Sequence, residues 1–412
     1  MTNSFKLHLY CCSLAMLLLL GACTNDNAPT EKDTAATQWL ATWSTGPQLV
    51  EPHNMPPEPG LSNNTLRSIV RVTQGGDHIR LRFSNAFSSE PVTLQKVSIA
   101  QHRHAGEIDP QTARPVLFSG AEAITMAPGS EHVSDPLDFN LQAGSTVAIN
   151  IYFAETSKDV TGHPGSRTTS YIAEGNQLNA ADLSTQVTAD RWYVVTGIEV
   201  QAPENAAAVV VLGDSITDGR GSGTNKQNRW PDIFAEKLRA NANTQNIAVI
   251  NQGIGGNCVT RACLGPSALD RFERDVLNQA GVKWLIIFEG INDIGQAKNA
   301  EDAEKIADAL IAAYQSMINQ AHAANIKVYG ATLLPFATSF YDTPERLDAW
   351  RTVNSWIRNS GEFDAVIDFE AVMTDPEQPG LLRADGDTGD HLHPNENGYV
   401  IMGSAVDLTL FQ

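Results

Sequence analysis

The chain changes its hydrophobic period once, near Gln201-Ala-Pro203-Glu204-Asn205, and that change limits the fold more than any other feature. From Gln38 to about Glu199, apolar residues alternate with polar ones, as in Ile79-Arg80-Leu81-Arg82-Phe83 and Val147-Ala148-Ile149-Asn150-Ile151. Trp192, Val194, Thr196 and Ile198 repeat the pattern, while Gly75-Gly76, Pro128-Gly129 and Pro164-Gly165 break the runs. Period two with such punctuation predicts short antiparallel strands packed as a β-sandwich over residues 38–203.

Beyond the break, apolar runs alternate with amphipathic helical faces. Strands are expected near residues 207–212, 247–250, 284–288, 326–333 and 365–369. Trp230, Ile233, Phe234 and Leu238 form one helical face, Ile306, Leu310, Tyr314 and Met317 a second, and Leu347, Trp350, Val353 and Ile357 a third. The run Ala207-Val-Val-Val-Val-Leu212 has no polar position, which suits a strand buried on both faces. Such alternation predicts an α/β domain over residues 206–412, built on a five-stranded parallel sheet with helices on both sides.

Parallel strands bring their C-terminal ends to one edge of the sheet, so residues just after each strand are candidates for a common cleft. Four blocks stand at or just beyond the expected ends: Gly213-Asp214-Ser215, Asn251-Gln252-Gly253-Ile254-Gly255-Gly256-Asn257, Glu289-Gly290-Ile291-Asn292-Asp293 and Asp390-His391-Leu392-His393. Taken singly, they read as a helix cap, a tight turn, an Asx turn and a loop. Taken together, they supply what acyl transfer needs. Ser215 is a weak nucleophile that requires a base, for which His393 is the candidate. Asp390, three residues earlier, is placed to accept the second ring proton of His393 and to stabilise the imidazolium. The backbone N–H groups of Ser215 and Gly256 and the amide of Asn292 are the candidate donors to a tetrahedral oxyanion.

On these blocks the chain resembles the SGNH (GDSL) hydrolase superfamily. The four name-giving residues correspond to Ser215, Gly256, Asn292 and His393, with Asp390 as the third triad member, and Gly-Asp-Ser-Ile stands where Gly-Asp-Ser-Leu is usual. The resemblance covers about residues 206–412 and implies a flavodoxin-like domain that hydrolyses carboxylic esters without a cofactor. Asn64-Thr65-Leu66-Arg67 and Phe83-Ser84-Asn85-Ala86-Phe87 are similar to the leading domain of some exported two-domain members. The superfamily's shallow sites suit short acyl groups on bulky alcohols, so the expected substrate is an acetyl-type ester of a small molecule or a glycan. A lipolytic or thioesterase activity and a non-catalytic glycan-binding surface protein are the alternatives. Arg220, Asn257, Arg261 and Trp230 lie near the site in sequence and are candidate substrate contacts.

Two other chemistries fit less well. Asp385, Asp387, Asp390, His391 and His393 could surround a metal, but Gly389 occupies a ligand position of the calcium-loop spacing and no His-Glu-x-x-His occurs. No metal is therefore expected. The Gly-x-Ser-x-Gly elbow of α/β-hydrolases is broken by Thr217.

The N-terminus bears on location. Lys6, the apolar run Leu14 to Leu20 and Gly21-Ala22-Cys23 read as an export signal over residues 1–22, too short for a permanent span. Leu20-Gly21-Ala22-Cys23 resembles a bacterial lipobox, which implies lipidation of Cys23, a flexible tether over residues 23–37 and a membrane-anchored lipoprotein, in the outer membrane for a Gram-negative host; an ordinary secreted or periplasmic protein is the alternative. In that compartment Cys258 and Cys263 are left as a candidate disulfide closing a very small loop, with two free thiols as the other reading. With 47 acidic and 28 basic side chains the net charge is -19, and no basic run is present, so a nucleic-acid partner is not expected.

Overall fold

The computed structural model describes residues 36–412. The export signal, Cys23 and nearly all of the expected tether lie outside the described residues.

The alternating half folds into antiparallel sheets. A five-stranded sheet runs Thr37–Ser44, Val195–Pro203, Gly76–Asn85, Ser130–Val133, with Leu137–Leu141 also paired to Gly76–Asn85. A seven-stranded sheet runs Val187–Ala189, Ser170–Glu174, Asn64–Arg71, Thr146–Phe153, Val92–Gln101, Arg114–Val116, with Ile124–Met126 on Val92–Gln101. Period two explains the shared core: Ile79, Leu81 and Phe83 from one sheet and Val97, Ile99 and Ile149 from the other enter a single hydrophobic cluster. Their polar neighbours are paired rather than solvated, since Arg80 and Arg82 bond the buried carboxylate of Glu199 at 2.6 and 2.8 Å. A small third sheet, Gln48–Leu49, Thr161–His163 and Trp192–Tyr193, carries residues that reach the site described below.

The second half is a five-stranded parallel sheet in the order Ile247–Gly253, Ala207–Gly213, Val282–Phe288, Lys327–Ala331, Ala365–Ile367. This 2-1-3-4-5 order is that of flavodoxin-like folds. The apolar run at 207–212 is central and buried throughout, and its residues alternate between two cores: Val210 and Leu212 pack with Leu285 and Ile287, Val209 and Val211 with Ile286 and Phe288. The helices Ala300–Ala323 and Pro344–Asn359 pack on the first core, and Trp230–Arg239 and Glu396–Ala405 on the second.

Several strand bounds differ from expectation: the third strand already begins at Val282, and the fifth stops at Ile367, because Asp368 caps the helix that follows. The second strand runs on to Gly253, because polar Asn251 and Gln252 pair in register with Val211 and Leu212. The fourth stops at Ala331, before Thr332 bonds the backbone of Ile367.

An exposed edge strand is a template for unwanted pairing, and here the β-rich half covers it. The Val249 N–H donates to Thr73 Oγ1 at 3.2 Å, Gln74 Nε2 donates to the Ile247 carbonyl at 3.0 Å, and Gln252 Nε2 donates to Ser44 Oγ at 2.6 Å. Ala206, Ala208 and Ala248 join the core of the β-rich half, so the two halves share buried surface.

Candidate active site

Strand Ala207–Gly213 delivers Ser215 as the first residue of a one-turn helix, Ser215–Asp218. Asp214 caps that turn, its Oδ1 accepting the Ile216 N–H at 3.0 Å. Complete burial pushes the Asp214 carboxyl up to about 7, with the neighbouring acids Asp293 and Asp218 adding to the rise and the Ile216 N–H and Arg271 opposing it.

The last block is shaped by one carboxylate. Asp390 Oδ1 accepts the N–H groups of Leu392 and His393 at 3.0 and 2.8 Å, and this curls the chain so that Oδ2 meets Nδ1 of His393 at 2.7 Å. An ionised carboxylate only accepts, so Nδ1 carries the proton and Nε2 presents its lone pair. Ser215 Oγ lies 2.9 Å from that Nε2. Partial burial works to raise the Asp390 carboxyl, but the backbone and ring N–H groups of His393 outweigh it and hold it well below the usual carboxylate range. The His393 ring is shifted down, first by its own burial, against the pull of Asp390, with Arg220 and Arg167 adding to the depression.

The three candidate donors belong to Ser215, Gly256 and Asn292, which line one cleft with His393. The N–H groups of Ser215 and Gly256 bond no acceptor among the described residues. Gly256 has φ +71, and a Cβ there would come within 2.7 Å of Leu264, so a side chain would be both strained and crowded. Asn292 Nδ2 donates one hydrogen to the Asn257 carbonyl at 2.8 Å, while its Oδ1 accepts from the Tyr341 hydroxyl at 3.0 Å; the second amide hydrogen is left over.

The Gly256 loop is held from two sides. Cys258 and Cys263 form a disulfide with Cα atoms 5.6 Å apart. The Asp293 carboxylate accepts from the Val259 N–H at 2.8 Å, the Thr260 N–H at 3.1 Å and Thr260 Oγ1 at 2.7 Å. Beneath lies Arg271, wholly buried, which bonds the carbonyls of Gly213 and Gln252 at 3.0 and 2.6 Å and the Asn257 side chain at 3.0 Å. Two strand ends and the loop are thus tied to one guanidinium.

Ser215, Gly256, Asn292 and His393 open onto a cleft of about 490 Å³ whose far wall comes from the β-rich half, through Gln48, Glu51, Arg167 and Arg191. The structure therefore brings together Ser215, His393, Asp390, Gly256 and Asn292. Of the candidate contacts, Arg220 lines this cleft and Arg261 a shallow extension of it beside Asn292 and Tyr341. Trp230 and Asn257 are corrections. Trp230 is fully buried and packs edge-on against Phe369, ring centroids 5.0 Å apart, because it belongs to the apolar face of its helix. Asn257 is buried too, and its amide holds the carbonyls of Leu264 and Pro266 at 2.6 and 2.8 Å, shaping the loop rather than meeting a ligand. The acidic segment is spent locally: Asp385 on Arg383 at 2.7 Å and Asp387 on His391 at 2.7 Å. The far wall, Arg271 and Tyr341 escaped the sequence reading, since no spacing links them to the four blocks; Asp293 stands in the third block, where nothing in the sequence marks its hold on Val259 and Thr260.

Residues 211–401 match the GDSL-like Lipase/Acylhydrolase family. Similar solved structures include a catalytic mutant of an acetylxylan esterase from Geobacillus stearothermophilus, 22% identical, over 49% of this chain and 94% of that one, with a TM-score of 0.38. A GDSL-like lipase from Bacteroides thetaiotaomicron is 22% identical over 50% of this chain and 87% of its own, TM-score 0.35. An acetyl xylan esterase is 22% identical over 48% and 96%, TM-score 0.36. No curated protein matches the chain.

Proposed function

We propose that this chain, which belongs to the GDSL-like lipase/acylhydrolase family through residues 211–401, is a serine esterase that removes acetyl-type groups from carboxylic esters. The observation that carries the proposal is the hydrogen-bonded line from Ser215 through His393 to Asp390, at 2.9 and 2.7 Å, beside three unspent donors.

In this mechanism Ser215 Oγ attacks the ester carbonyl carbon while His393 Nε2 takes the hydroxyl proton. Negative charge moves to the carbonyl oxygen, where the N–H groups of Ser215 and Gly256 and the free amide hydrogen of Asn292 receive it; one such donor is worth about 3 kcal/mol at the transition state. Collapse breaks the bond to the alcohol, which leaves with the proton from His393. Water then attacks the acyl-serine, giving its proton to the same ring, and the second collapse returns the proton to Ser215 and frees the acid. Asp390 stays ionised throughout and stabilises the imidazolium.

The wide cleft suits a short acyl group on a bulky alcohol, and a glycan is the proposed alcohol. Export and anchoring through a lipid on Cys23 remain part of the proposal and rest on the sequence of residues 14–23 alone.

The test is 4-nitrophenyl ester hydrolysis by the wild type and by Ser215→Ala. The wild type should prefer acetate, and the variant should lose at least about 10⁴-fold in kcat with its fold intact. Undiminished turnover by the variant overturns the mechanism, and a preference beyond about eight acyl carbons overturns the short-acyl reading in favour of a lipolytic one.

A further inference from the structure

We propose that the alcohol part of the substrate carries a carboxylate close to the scissile acyl group, as in an O-acetylated sugar acid, and that Arg167 and Arg220 recognise it. This deepens the esterase reading and rests on it.

The first observation is how the charges around the cleft are spent. Its lining holds three acids, and each already has a partner. Glu51 accepts from Gln48 at 2.6 Å and from Asn54 at 2.8 Å, Asp190 from Thr169 at 2.9 Å, and Asp218 Oδ1 faces the His163 ring at 2.9 Å, while its Oδ2 is buried with no partner among the described residues. Of the three arginines, Arg191 donates Nε to Asn54 Oδ1 at 2.9 Å, but the other two are not matched in this way. Among the described residues, neither Arg167 nor Arg220 forms an ion pair or a side-chain hydrogen bond, although both line the same cleft as Ser215 and His393.

The second observation concerns Arg167 itself. Its Nε is buried without a partner among the described residues, which is unfavourable for any N–H and more so for a charged one. Its backbone has φ +51, a left-handed conformation that a residue with a side chain adopts at a cost. Asn225 of the α/β half holds it there, donating its N–H to the Arg167 carbonyl at 2.9 Å. The rest of the guanidinium, which no described residue bonds, is the part that a ligand in the cleft can meet.

Two planar guanidinium groups fit a carboxylate, which each can bind through paired N–H donors. Both line one cleft with Ser215 and His393, so an anion they hold shares that cleft with the reacting ester; each also adds to the depression of the His393 ring. With a net charge of -19, the chain offers an anion no long-range attraction, so recognition must come from contact inside the cleft. Phe340, 65% exposed and tilted by 56° against Tyr341 with ring centroids 4.4 Å apart, offers an apolar face at the same rim for one side of a sugar ring.

The test compares acetate release from O-acetylated 4-nitrophenyl β-glucuronide and from the matching glucoside, which lacks only the carboxylate. The wild type should favour the acid at least tenfold in kcat/KM, and Arg167→Gln and Arg220→Gln should each bring the ratio toward one. A wild-type ratio near one, or a ratio unmoved in both variants, overturns the proposal. A second measurement needs no variant: free glucuronate should inhibit wild-type hydrolysis of 4-nitrophenyl acetate at least tenfold more strongly than glucose, and equal inhibition counts against the proposal. A protein inert on 4-nitrophenyl acetate overturns the esterase reading as well, whereas activity there without preference for the acid overturns this inference alone.

Discussion

The Tyr341 hydroxyl donates to Asn292 Oδ1 at 3.0 Å, and that contact decides which way the amide faces. With Oδ1 occupied and one amide hydrogen given to the Asn257 carbonyl, the remaining hydrogen has a single direction. Tyr341→Phe frees the amide to rotate, so kcat on 4-nitrophenyl acetate should fall about 3- to 10-fold with KM little changed, as one hydrogen bond worth roughly 1 kcal/mol is lost. Asn292→Ala removes the donor itself and should cost about 10²- to 10³-fold. Equal losses in the two variants would mean that Tyr341 does more than orient.

The acid limb of kcat/KM should report His393. The ring must be neutral to take the serine proton, so activity is lost as pH falls through its pKa. Burial lowers that pKa from the ordinary 6.5, and Arg220 and Arg167 add to the shift against Asp390. The limb should therefore inflect below pH 6.5 in the wild type and move upward in Arg220→Gln, measured with 4-nitrophenyl acetate. An inflection above the ordinary imidazole value would contradict the buried ring described here.

Much of this is legible in the sequence, for reasons particular residues make plain. Period two at Ile79, Leu81 and Phe83, and the unbroken apolar run at 207–212, each leave a chain few ways to hide its hydrophobic side. The four blocks were legible because parallel strands put their ends on one edge. Contacts made across the two halves were not legible. Nothing near Arg167 in sequence says that it lines the cleft of Ser215, because it stands in the loop between Thr161–His163 and Ser170–Glu174, where no period applies. Trp230 shows the converse error, a residue near the site in sequence but turned into the core by its own helix.

Arg271 should matter more for folding than for chemistry. It lies 3.1 Å from Asp275 and 3.3 Å from Glu289, all fully buried. Removing it leaves Asp275 still paired with Arg274 at 2.6 Å, but Glu289 has no other cation among the described residues. Breaking a fully charged buried pair costs about 3–5 kcal/mol, and burial, against the pull of Arg271, already pushes the Glu289 carboxyl up to about 8, so the loss that urea unfolding reports for Arg271→Met at neutral pH should fall below that range, with Glu289→Gln added to it recovering part. A double variant no more stable than the single one would show that the bonds to Gly213 and Gln252, rather than the orphaned acid, set the cost.

Two restraints hold the Gly256 loop, and their sizes can be compared. The disulfide spans only 5 residues, so the stabilisation from closing its loop is below about 3 kcal/mol. Asp293 takes three hydrogen bonds from Val259 and Thr260, each worth about 1.5–3 kcal/mol when the acceptor is charged. Its burial raises the carboxyl from the ordinary value, which discounts that sum without cancelling it. The carboxylate should thus be the stronger restraint on the Gly256 N–H. Replacing Cys258 and Cys263 by Ser should leave kcat within about threefold, whereas Asp293→Ala should lower it about 10- to 100-fold, the range expected when one oxyanion donor is misplaced. The opposite order, read from 4-nitrophenyl acetate turnover with circular dichroism as a check on folding, would assign the loop's geometry to the disulfide.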